Sequence, residues 1–522
     1  MKNITLLKAK VGILAVSCLS ITALFACVDK DARSDLNPNL PTDQAQNGDF
    51  GDQGGGSEQG LNFPVFDDGV LAFPGAEGYG KNVTGARAGE GREIYHVTNL
   101  NDAGPGSFRD AVSKPWRIIV FDVSGVIKLS SNPIVLKSNQ TILGHTAPGD
   151  GIVLYNGRVS ASGAQNLIVR YLRIRMGAAY PSELDACGIA NGANMIFDHC
   201  SMTWGKDECF SINPDDGKGT APKNITIQNS IIGQGLQNHS CGGLMQTDIS
   251  NGCTIFRNLY IDNKTRNPKV KGLNQFVNNV VYNWGSGAAY NMSGDSQGKS
   301  ETTIENNYFI VGPCHNWQNV AQPDGSIKTE YVPMNPARPF TGGNGNFNTY
   351  CKGNYYDNNK DGALDGVEIT ETNWSQYCSG SPVFLEARSD LHPIIRSQKS
   401  AQEAYEWVVE KVGAYLPVRD EVDKYLMDEL ISLGRKGTII QDERKAEQFP
   451  LGGPGTINAA QKPLDSDNDG MPDAFEDAWG LDKYDSTDAV KEAKNGYLNI
   501  ENYALSLEYP DEYEYELNKN KQ

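Results

Sequence analysis

The sequence predicts an all-β protein, a parallel β-helix followed by a short C-terminal region of helices and acidic loops. The first supporting observation is a repeat. Six short stretches of β-branched and aromatic residues, with apolar residues at alternate positions, begin at Asn166, Asn194, Asn224, Cys253, Asn274 and Thr302. The steps between them are 28, 30, 29, 21 and 28 residues. A period of this size with one or more short strands per repeat is typical of a solenoid.

The second observation is an asparagine that recurs at one turn position of these stretches. The sixth residue is Asn229, Asn258, Asn279 and Asn307 in four successive stretches. Side-chain amides stacked along a solenoid axis can hydrogen-bond to one another, which predicts an asparagine ladder. The alternative is a large β-sandwich with asparagine-rich turns, but that fold does not require nearly constant spacing.

The first residues predict export. A lysine-containing start precedes an apolar run over 11–26 that ends in "LFAC", as in a secretory signal. The cysteine after the cut resembles a bacterial lipobox, so Cys27 is predicted to carry lipid once residues 1–26 are removed. We therefore expect a lipoprotein of the outer membrane of a Gram-negative bacterium, held there by its lipid alone. A transmembrane helix is the alternative, but the run is shorter than the ~20 residues that a span requires.

The remaining chain divides by composition and periodicity. Residues 27–66 are rich in Asp, Gly, Asn and Pro, which predicts a flexible tether. The repeats assign 67–400 to the β-helix. The stretches "SAQEAYEWVVEKVGAY" and "RDEVDKYLMDELISLG" have helical periodicity, which assigns 401–450 to a helical flank. Residues 451–522 are assigned to a C-terminal calcium-loop region.

A small cationic cluster lies in an otherwise acidic chain. The chain has 64 Asp and Glu against 46 Lys and Arg, a formal net charge of −18, which opposes binding to nucleic acid. Arg266, Lys269 and Lys271 nevertheless lie together in "RNPKVKG". Such a group is usually only a solvated surface patch. On the long face of a β-helix it would suit a linear, acidic polysaccharide.

Carboxylates on earlier coils add a metal site to this hypothesis. Asp185, Asp207 and Glu208 precede the cationic cluster, and Ca²⁺ prefers six to eight oxygen ligands of this kind. Taken singly, each carboxylate is more often solvated than ligating. Taken with the cations, they predict that Ca²⁺ bridges the protein to an acidic sugar and acidifies the proton beside the sugar carboxylate. A base could then remove that proton and expel the glycosidic oxygen by β-elimination.

Several motifs, taken in order, resemble polysaccharide lyase family 1, the pectate lyases, in a Bacteroidetes-type lipoprotein branch. They are "FPGAEGYG", "VTNLNDAGPGSFRDAV", "IVFDVSGVI", "TAPGDGI", "FDHCSMTWGKDE" and "RNPKVKG". The resemblance implies a right-handed parallel β-helix. It also implies Ca²⁺-dependent cleavage of polygalacturonate to 4,5-unsaturated products, for pectin degradation.

The cationic motif carries the roles that the resemblance implies for catalysis. Arg266 stands at the family's catalytic arginine in R-x-P-x-x-R, and Lys271 stands where a second, substrate-binding arginine is usual. Lys269 shares its strand parity and is assigned to the same substrate carboxylate. We expect the two lysines and Ca²⁺ to lower the pKa of Arg266, because a guanidinium otherwise keeps its proton.

The calcium ligands are also carried over by position. Asp185 matches a calcium-binding aspartate, because its thirteen-residue gap to Asp198 of the D-H motif is kept. Two further carboxylates, four residues apart, would fall at Asp207 and Ser211. Glu208, next to Asp207, is the candidate for the missing carboxylate.

Two loops have the spacing of an EF-hand calcium site, in which ligands occupy positions 1, 3, 5, 9 and 12 around a glycine at position 6. The first supplies Asp465, Asp467, Asp469, Asp473 and Glu476. The second supplies Asp357, Asn359, Asp361, Asp365 and Glu368, with an ordinary polar turn as an equal alternative. Neither loop contains the cationic cluster, so both are interpreted as structural.

Three other functions compete with this assignment. A polygalacturonase on the same fold would need paired carboxylates around the bond, in motifs that the sequence lacks. A pectin lyase acting on methyl-esterified polymer would not need the predicted calcium ligands. A non-catalytic, surface glycan-binding β-helix is the third alternative. We expect the protein to be a monomer.

Overall fold

The computed structural model describes residues 60–61, 63, 69–130, 132–214, 221–285, 288–292, 298–335 and 338–520. The predicted signal, Cys27 and most of the predicted tether lie outside these residues. Within them, no helix is long and apolar enough to cross a membrane.

Most of the strands belong to three long sheets. Sheet A has eleven strands, in the order Glu93–Val97, Arg117–Phe121, Gln140–Leu143, Gln165–Arg170, Ala193–Asp198, Lys223–Gln228, Gly252–Phe256, Leu273–Val277, Ser300–Glu305, Phe347–Lys352 and Val383–Phe384. Sheet B has ten, in the order Gly125–Lys128, Ile152–Tyr155, Arg173–Arg175, Ser201–Thr203, Ile231–Gly233, Leu259–Ile261, Val280–Tyr282, Tyr308–Ile310, Asn354–Asp357 and Val367–Ile369. Sheet C has eight, in the order Ile134–Val135, Val159–Ser160, Cys187–Ile189, Phe210–Ile212, Leu244–Gln246, Lys269–Lys271, Tyr290–Met292 and Phe340–Gly342.

The chain visits the three sheets in turn, and each strand pairs in parallel with the equivalent strand of the next coil. Met195 of sheet A, for example, pairs with Leu167 of the coil before and Ile225 of the coil after. This register stacks apolar side chains inside the coils, where Leu167, Met195 and Ile225 are fully buried. The predicted parallel β-helix is therefore confirmed. The last strand of sheet B and the hairpin His315–Ala321 with Ile327–Pro333 are antiparallel additions.

An asparagine ladder runs along the turn between sheets A and B. The side-chain amide of Asn258 donates to Asn279, that of Asn279 to Asn307, and that of Asn307 to Asn354, at 2.8–3.2 Å. The predicted ladder is confirmed at Asn258, Asn279 and Asn307, but the prediction is wrong for Asn229. Ile225 pairs with Cys253, so Asn229 is level with Arg257 and lies one position before the ladder. The next step between stretches, of 21 residues, is shorter than the others. This irregular spacing concealed the one-residue offset at Asn229.

The described part of the chain contains seven α-helices: α1 (Phe108–Ala111), α2 (Trp374–Tyr377), α3 (Ala401–Lys411), α4 (Glu421–Leu430), α5 (Asp473–Trp479), α6 (Asn499–Glu508) and α7 (Pro510–Asn520). Helix α3 begins with a capping box in which Ser400 and Glu403 bond reciprocally. Buried residues of α3 and α4 form one apolar cluster with sheet B, and those of α5 and α6 form another with sheet A. Helices therefore cover the outer faces of sheets A and B.

Sheet C carries polar side chains on its outer face. In the strand Lys269–Lys271 the central Val270 is buried, while the two lysines are half-buried. This alternation points both lysines away from the core on one face. The eight cysteines of the described residues are all buried free thiols.

Two buried histidines predict acid sensitivity. His145 and His199 lie on either side of Tyr171, with ring centroids 4.5 and 4.8 Å away. Burial lowers the pKa of His145 to about 3 and that of His199 to about 4. Both pKa values are below the unfolded value of roughly 6.5, so the neutral form's contribution to stability is complete above that pH and is lost as pH falls towards the folded values.

We expect the free energy of unfolding to fall by up to about 1.4 kcal/mol per pH unit for each histidine between about pH 6 and 4. Denaturant unfolding at several pH values measures this slope. His199→Asn keeps a residue that tolerates the left-handed backbone conformation at this position (φ 49°) and should give a shallower slope. An unchanged slope in that variant would contradict the assignment.

Candidate active site

The site forms where three successive coils enter sheet C. Glu208, Cys241 and Thr265 form consecutive parallel β-bridges, so they are stacked on one another. Arg266 follows Thr265 directly. Stacking of coils thus brings the Glu208 carboxylate and the Arg266 guanidinium, which are 58 residues apart in sequence, into direct contact.

Three predicted carboxylates come together. Asp185, Asp207 and Glu208 each have an oxygen within 4.8 Å of the others, and the backbone N–H of Glu208 donates to Asp185 Oδ1 at 3.2 Å. Glu208 is 2% exposed. Burial and the charge of Asp185 raise the pKa of Glu208 to about 8. Burial also raises the pKa of Asp185. The group is one in which negative charge is concentrated and poorly solvated.

Arg266 donates from Nη1 to Glu208. Burial lowers the pKa of Arg266, but the Cys241 thiol and the Glu208 carboxylate more than offset burial, so the pKa is raised above its ordinary value. The contact with Glu208 is one of the interactions that keep the pKa of Arg266 high. The expected lowering depends on the charges of bound Ca²⁺ and of the two lysines, and it stays a prediction for the calcium-bound enzyme.

The structure adds two residues that the sequence reasoning missed. His239 Nε2 lies 2.9 Å from Asp207 Oδ1, an interaction that lowers the pKa of Asp207 and raises that of His239. Arg158, on an earlier coil, lowers the pKa of Asp185 by its charge, although burial outweighs it. The coil register could have found His239, since it lies two residues before Cys241, the residue stacked between Glu208 and Thr265.

Other candidate residues divide into those near this group and those apart from it. Lys269 and Lys271 follow Arg266 on the next strand of sheet C. Ser211, at the family's third carboxylate position, accepts a hydrogen bond from the Leu244 N–H at 3.1 Å, so its hydroxyl serves the backbone. Asp198 is fully buried and bonded to Arg170 of sheet A, outside the carboxylate group.

The second predicted calcium loop does not form an acidic group of this kind. The Asn359 side chain donates to Asp365 at 2.8 Å, and Asp361 accepts from the Ala363 N–H. Glu368 lies exposed on the strand Val367–Ile369, while Asp357 is 4% exposed. Among the described residues, the groups of three potential ligands within 4.8 Å include none from this loop.

The first predicted calcium loop does bring its acidic residues together, with one exception. Asp465, Asp467 and Asp469 form one group, and Asp469 and Glu476 form a second group with Asp488, which the sequence reasoning missed. Asp473 instead accepts hydrogen bonds from the backbone and hydroxyl of Ser466 at 2.7 and 2.8 Å.

Comparison with known proteins identifies the family. The family model described as "Pectate lyase" matches residues 74–356, which include most of the strands and the acidic site described above. A probable pectate lyase C from Aspergillus fumigatus is 48% identical over 438 residues, 84% of this chain and 94% of that protein. The chain belongs to the pectate lyase family. It is a polysaccharide lyase, and its substrate class is acidic polysaccharide.

Other similarities extend across pectate lyases of different sources. A probable pectate lyase C from Aspergillus flavus is 47% identical over 449 residues, 86% of this chain and 96% of that protein. Pectate lyase 2 of Pectobacterium carotovorum is 26% identical over 155 residues, 28% of this chain and 40% of that protein. Among solved structures, the cedar pollen allergen jun a 1 matches 64% of this chain and 92% of its own, at TM-score 0.43 and 17% identity.

The relatives correct the predicted location. Two proteins that are 47–48% identical and that match most of this pectate lyase come from the fungi Aspergillus fumigatus and Aspergillus flavus, and fungi have no Gram-negative outer membrane. The prediction of a lipoprotein in the outer membrane of a Gram-negative bacterium is contradicted by this finding, and we do not retain it. The sequence signal behind it, at Cys27, lies outside the described residues.

Proposed function

We propose that this pectate lyase cleaves α-1,4-linked polygalacturonate by Ca²⁺-dependent β-elimination and releases 4,5-unsaturated oligogalacturonides. The observation that carries the proposal is the group of Asp185, Asp207 and Glu208 with Arg266 bonded to one of its members. It lies at the edge of sheet C, whereas helices α3 to α6 pack on sheets A and B.

The donor set fits calcium. Carboxylate oxygens are the ligands that this hard cation prefers, and Ca²⁺ accepts further oxygens from water or from a ligand. Burial, and then the neighbouring carboxylates Asp185 and Asp207, raise the pKa of Glu208, and a divalent cation among the three would compensate their negative charge. Bound there, Ca²⁺ supplies Lewis acidity towards the sugar carboxylate.

The chain's own residues bind the sugar and move the proton. Lys269 and Lys271, on the same outward face, hold a uronate carboxylate by charge. Arg266, whose side chain is 28% exposed, receives the proton from C5 at a guanidine nitrogen. The C5–H electron pair forms the C4–C5 double bond as the C4–O bond breaks, and the leaving oxygen takes a proton from water.

Glu208 contributes by holding Arg266 in place. The contact between the carboxylate and Arg266 Nη1 fixes the direction of the guanidinium towards the open face. Abstraction requires the neutral guanidine, so a metal that draws negative charge from Glu208 would weaken the interaction that keeps the pKa of Arg266 high.

A pectin lyase acting on methyl-esterified polymer is disfavoured by the same group. An ester carries no charge for Lys269 and Lys271 to bind and is a weaker partner for a divalent cation. Purified protein should therefore give the ultraviolet absorbance of unsaturated product with de-esterified polygalacturonate and calcium. It should give little with the methyl ester. Saturated products, or none, would overturn the proposal.

Calcium dependence provides the second test. Chelation should abolish the absorbance and added Ca²⁺ should restore it. Asp185→Asn should raise the calcium concentration for half-maximal activity by at least roughly tenfold, since changes to groups that merely support metal ligands already cost about that much. Asp248→Asn, an exposed aspartate that bonds Ser250 and Asn251, is the matched control and should leave calcium dependence unchanged. Equal activity with and without chelator would contradict the calcium assignment.

A further inference from the structure

The C-terminal loop contains buried carboxylates without hydrogen-bond partners. Glu476 of α5 is fully buried, and neither of its carboxyl oxygens has a partner. Asp469 and Asp488 are 3% and 5% exposed, and each has one oxygen without a partner. Both oxygens of Asp467 are also unpartnered. Buried charges of this kind are costly unless a counter-charge compensates them.

The acidic groups share one member and so form a single cluster. Ligand oxygens of Asp465, Asp467 and Asp469 lie within 4.8 Å of one another, as do those of Asp469, Glu476 and Asp488. The turn is built around Gly470, whose φ of 94° is in the left-handed region that glycine adopts freely. Burial and the neighbouring carboxylates raise the pKa of Glu476 to about 8.

We propose that Asp465, Asp467, Asp469, Glu476 and Asp488 bind one structural Ca²⁺. Five carboxylates exceed what Mg²⁺ usually takes from protein and match the six to eight oxygens of Ca²⁺. The site departs from the EF-hand spacing at one position. Asp473 is bonded to Ser466, and Asp488 approaches the cluster from beyond the C-terminal end of α5.

The ion would stabilise the covering of sheet A. Phe475 of α5 and Ile500 of α6 belong to the same apolar cluster as Ile118 and Ile196 of sheet A. A Cβ on Gly470 would lie 3.2–3.3 Å from side chains of Ile500, Ile94 and Val120, so the loop itself packs on the first coils. Calcium bound here ties the loop and α5 to Asp488, which lies between α5 and α6. This site is independent of the proposed catalytic calcium.

The test separates the two calcium sites by working in full-length Asp185→Ala protein, in which the active-site carboxylate group is disrupted. Calorimetric titration with Ca²⁺ should show one remaining bound ion. Calcium should also raise Tm, by about 3 °C at roughly a hundredfold excess over Kd. Adding Glu476→Gln should abolish both effects. Adding Asp477→Asn, on the exposed side of the same helix and paired with Lys483, should leave both unchanged.

The chelated proteins give a further readout. Glu476→Gln replaces a buried carboxyl group that has no hydrogen-bond partner by a neutral side chain of the same shape, so without calcium it should be at least as stable as its parent. If it fails to fold, Asp488→Asn serves as the second variant with the same expected results. A normal Tm rise with calcium in either variant, or no bound ion in the Asp185→Ala protein, would overturn the inference.

Discussion

Arg266→Ala is expected to lower kcat/KM on polygalacturonate by on the order of 10²- to 10⁴-fold, the usual contribution of a positioned acid or base. Arg266 is the guanidinium in direct contact with the carboxylate group, through Glu208. Its side chain is 28% exposed, whereas that of Glu208 is 3% exposed. The arginine can therefore be reached by a polymer lying on sheet C, while the carboxylate behind it is largely shielded.

The division of the effect between kcat and KM distinguishes the two roles open to Arg266. If it acts on the C5 proton, kcat falls and KM changes little. If it only holds the substrate, KM rises and kcat is kept. Arg266→Lys keeps the charge but loses the planar, two-nitrogen geometry, so it should recover binding more than rate.

A matched control and a stability measurement complete this test. Arg444→Ala removes a part-exposed arginine paired with Asp442, outside the site, and should leave kcat/KM unchanged. The Tm of Arg266→Ala with calcium should remain near that of the parent, because the calcium ligands are intact. Activity retained in Arg266→Ala would contradict the role that we assign to this residue.

The sequence predicted the repeating part of the fold because every coil repeats the same local requirement. Residues such as Leu167, Met195 and Ile225 are apolar at one position of successive coils, since each fills the same interior layer. Register was harder to predict. The stretch that begins at Cys253 pairs with Ile225 and not with Asn224, so the count from the sequence wrongly included Asn229 in the asparagine ladder.

The docking of the helices could not be derived from the repeat. Periodicity indicates that α3 and α4 have an apolar side, but it does not specify sheet B as their partner. The same limit applies to Asp488, which is distant from the EF-hand motif and joins Glu476 only through the packing of α5 and α6. Contacts between distant segments depend on shapes that a local pattern does not encode.

The candidate site illustrates the same division. Motif spacing brought Asp185, Asp207 and Arg266 into one hypothesis, and coil stacking explains why spacing sufficed: residues one period apart become neighbours. Spacing could not specify the partners of the charges. His239 beside Asp207 and Glu208 beside Arg266 follow from side-chain directions, and the second contact is one of those that raise the pKa of Arg266.

Asp198→Ala is expected to lower the free energy of unfolding by about 3–5 kcal/mol, the usual cost of breaking a buried ion pair. Asp198 is fully buried. Arg170 Nε donates to its Oδ2 at 2.8 Å, while the side chains of Gln228 and Asn229 donate to its Oδ1 at 2.9 and 2.8 Å. Removing the carboxylate therefore leaves three buried donors without this acceptor.

The charge balance around Arg170 adds to this effect. Arg170 Nη2 also donates hydrogen bonds to both carboxyl oxygens of Glu508 in α6, at 2.7 and 2.8 Å. The network therefore links sheet A to the helix that covers it. Burial raises the pKa of Asp198, but the charges of His199 and Arg170 lower it by more than burial raises it. The net shift in the pKa is therefore downward. The contribution of Asp198 is thus present above the unfolded pKa of about 3.9 and is lost as pH falls below it.

Denaturant unfolding near neutral pH, where Asp198 is ionised, measures this prediction. Asp324→Ala, an exposed aspartate in a hairpin turn that accepts from Ser326, is the control and should unfold as the parent does. Because Asp198 lies outside the proposed calcium group, folded Asp198→Ala protein should keep its calcium dependence. A variant with normal stability but altered calcium dependence would show instead that Asp198 serves the active site, and the separation of structural from catalytic carboxylates argued above would fail.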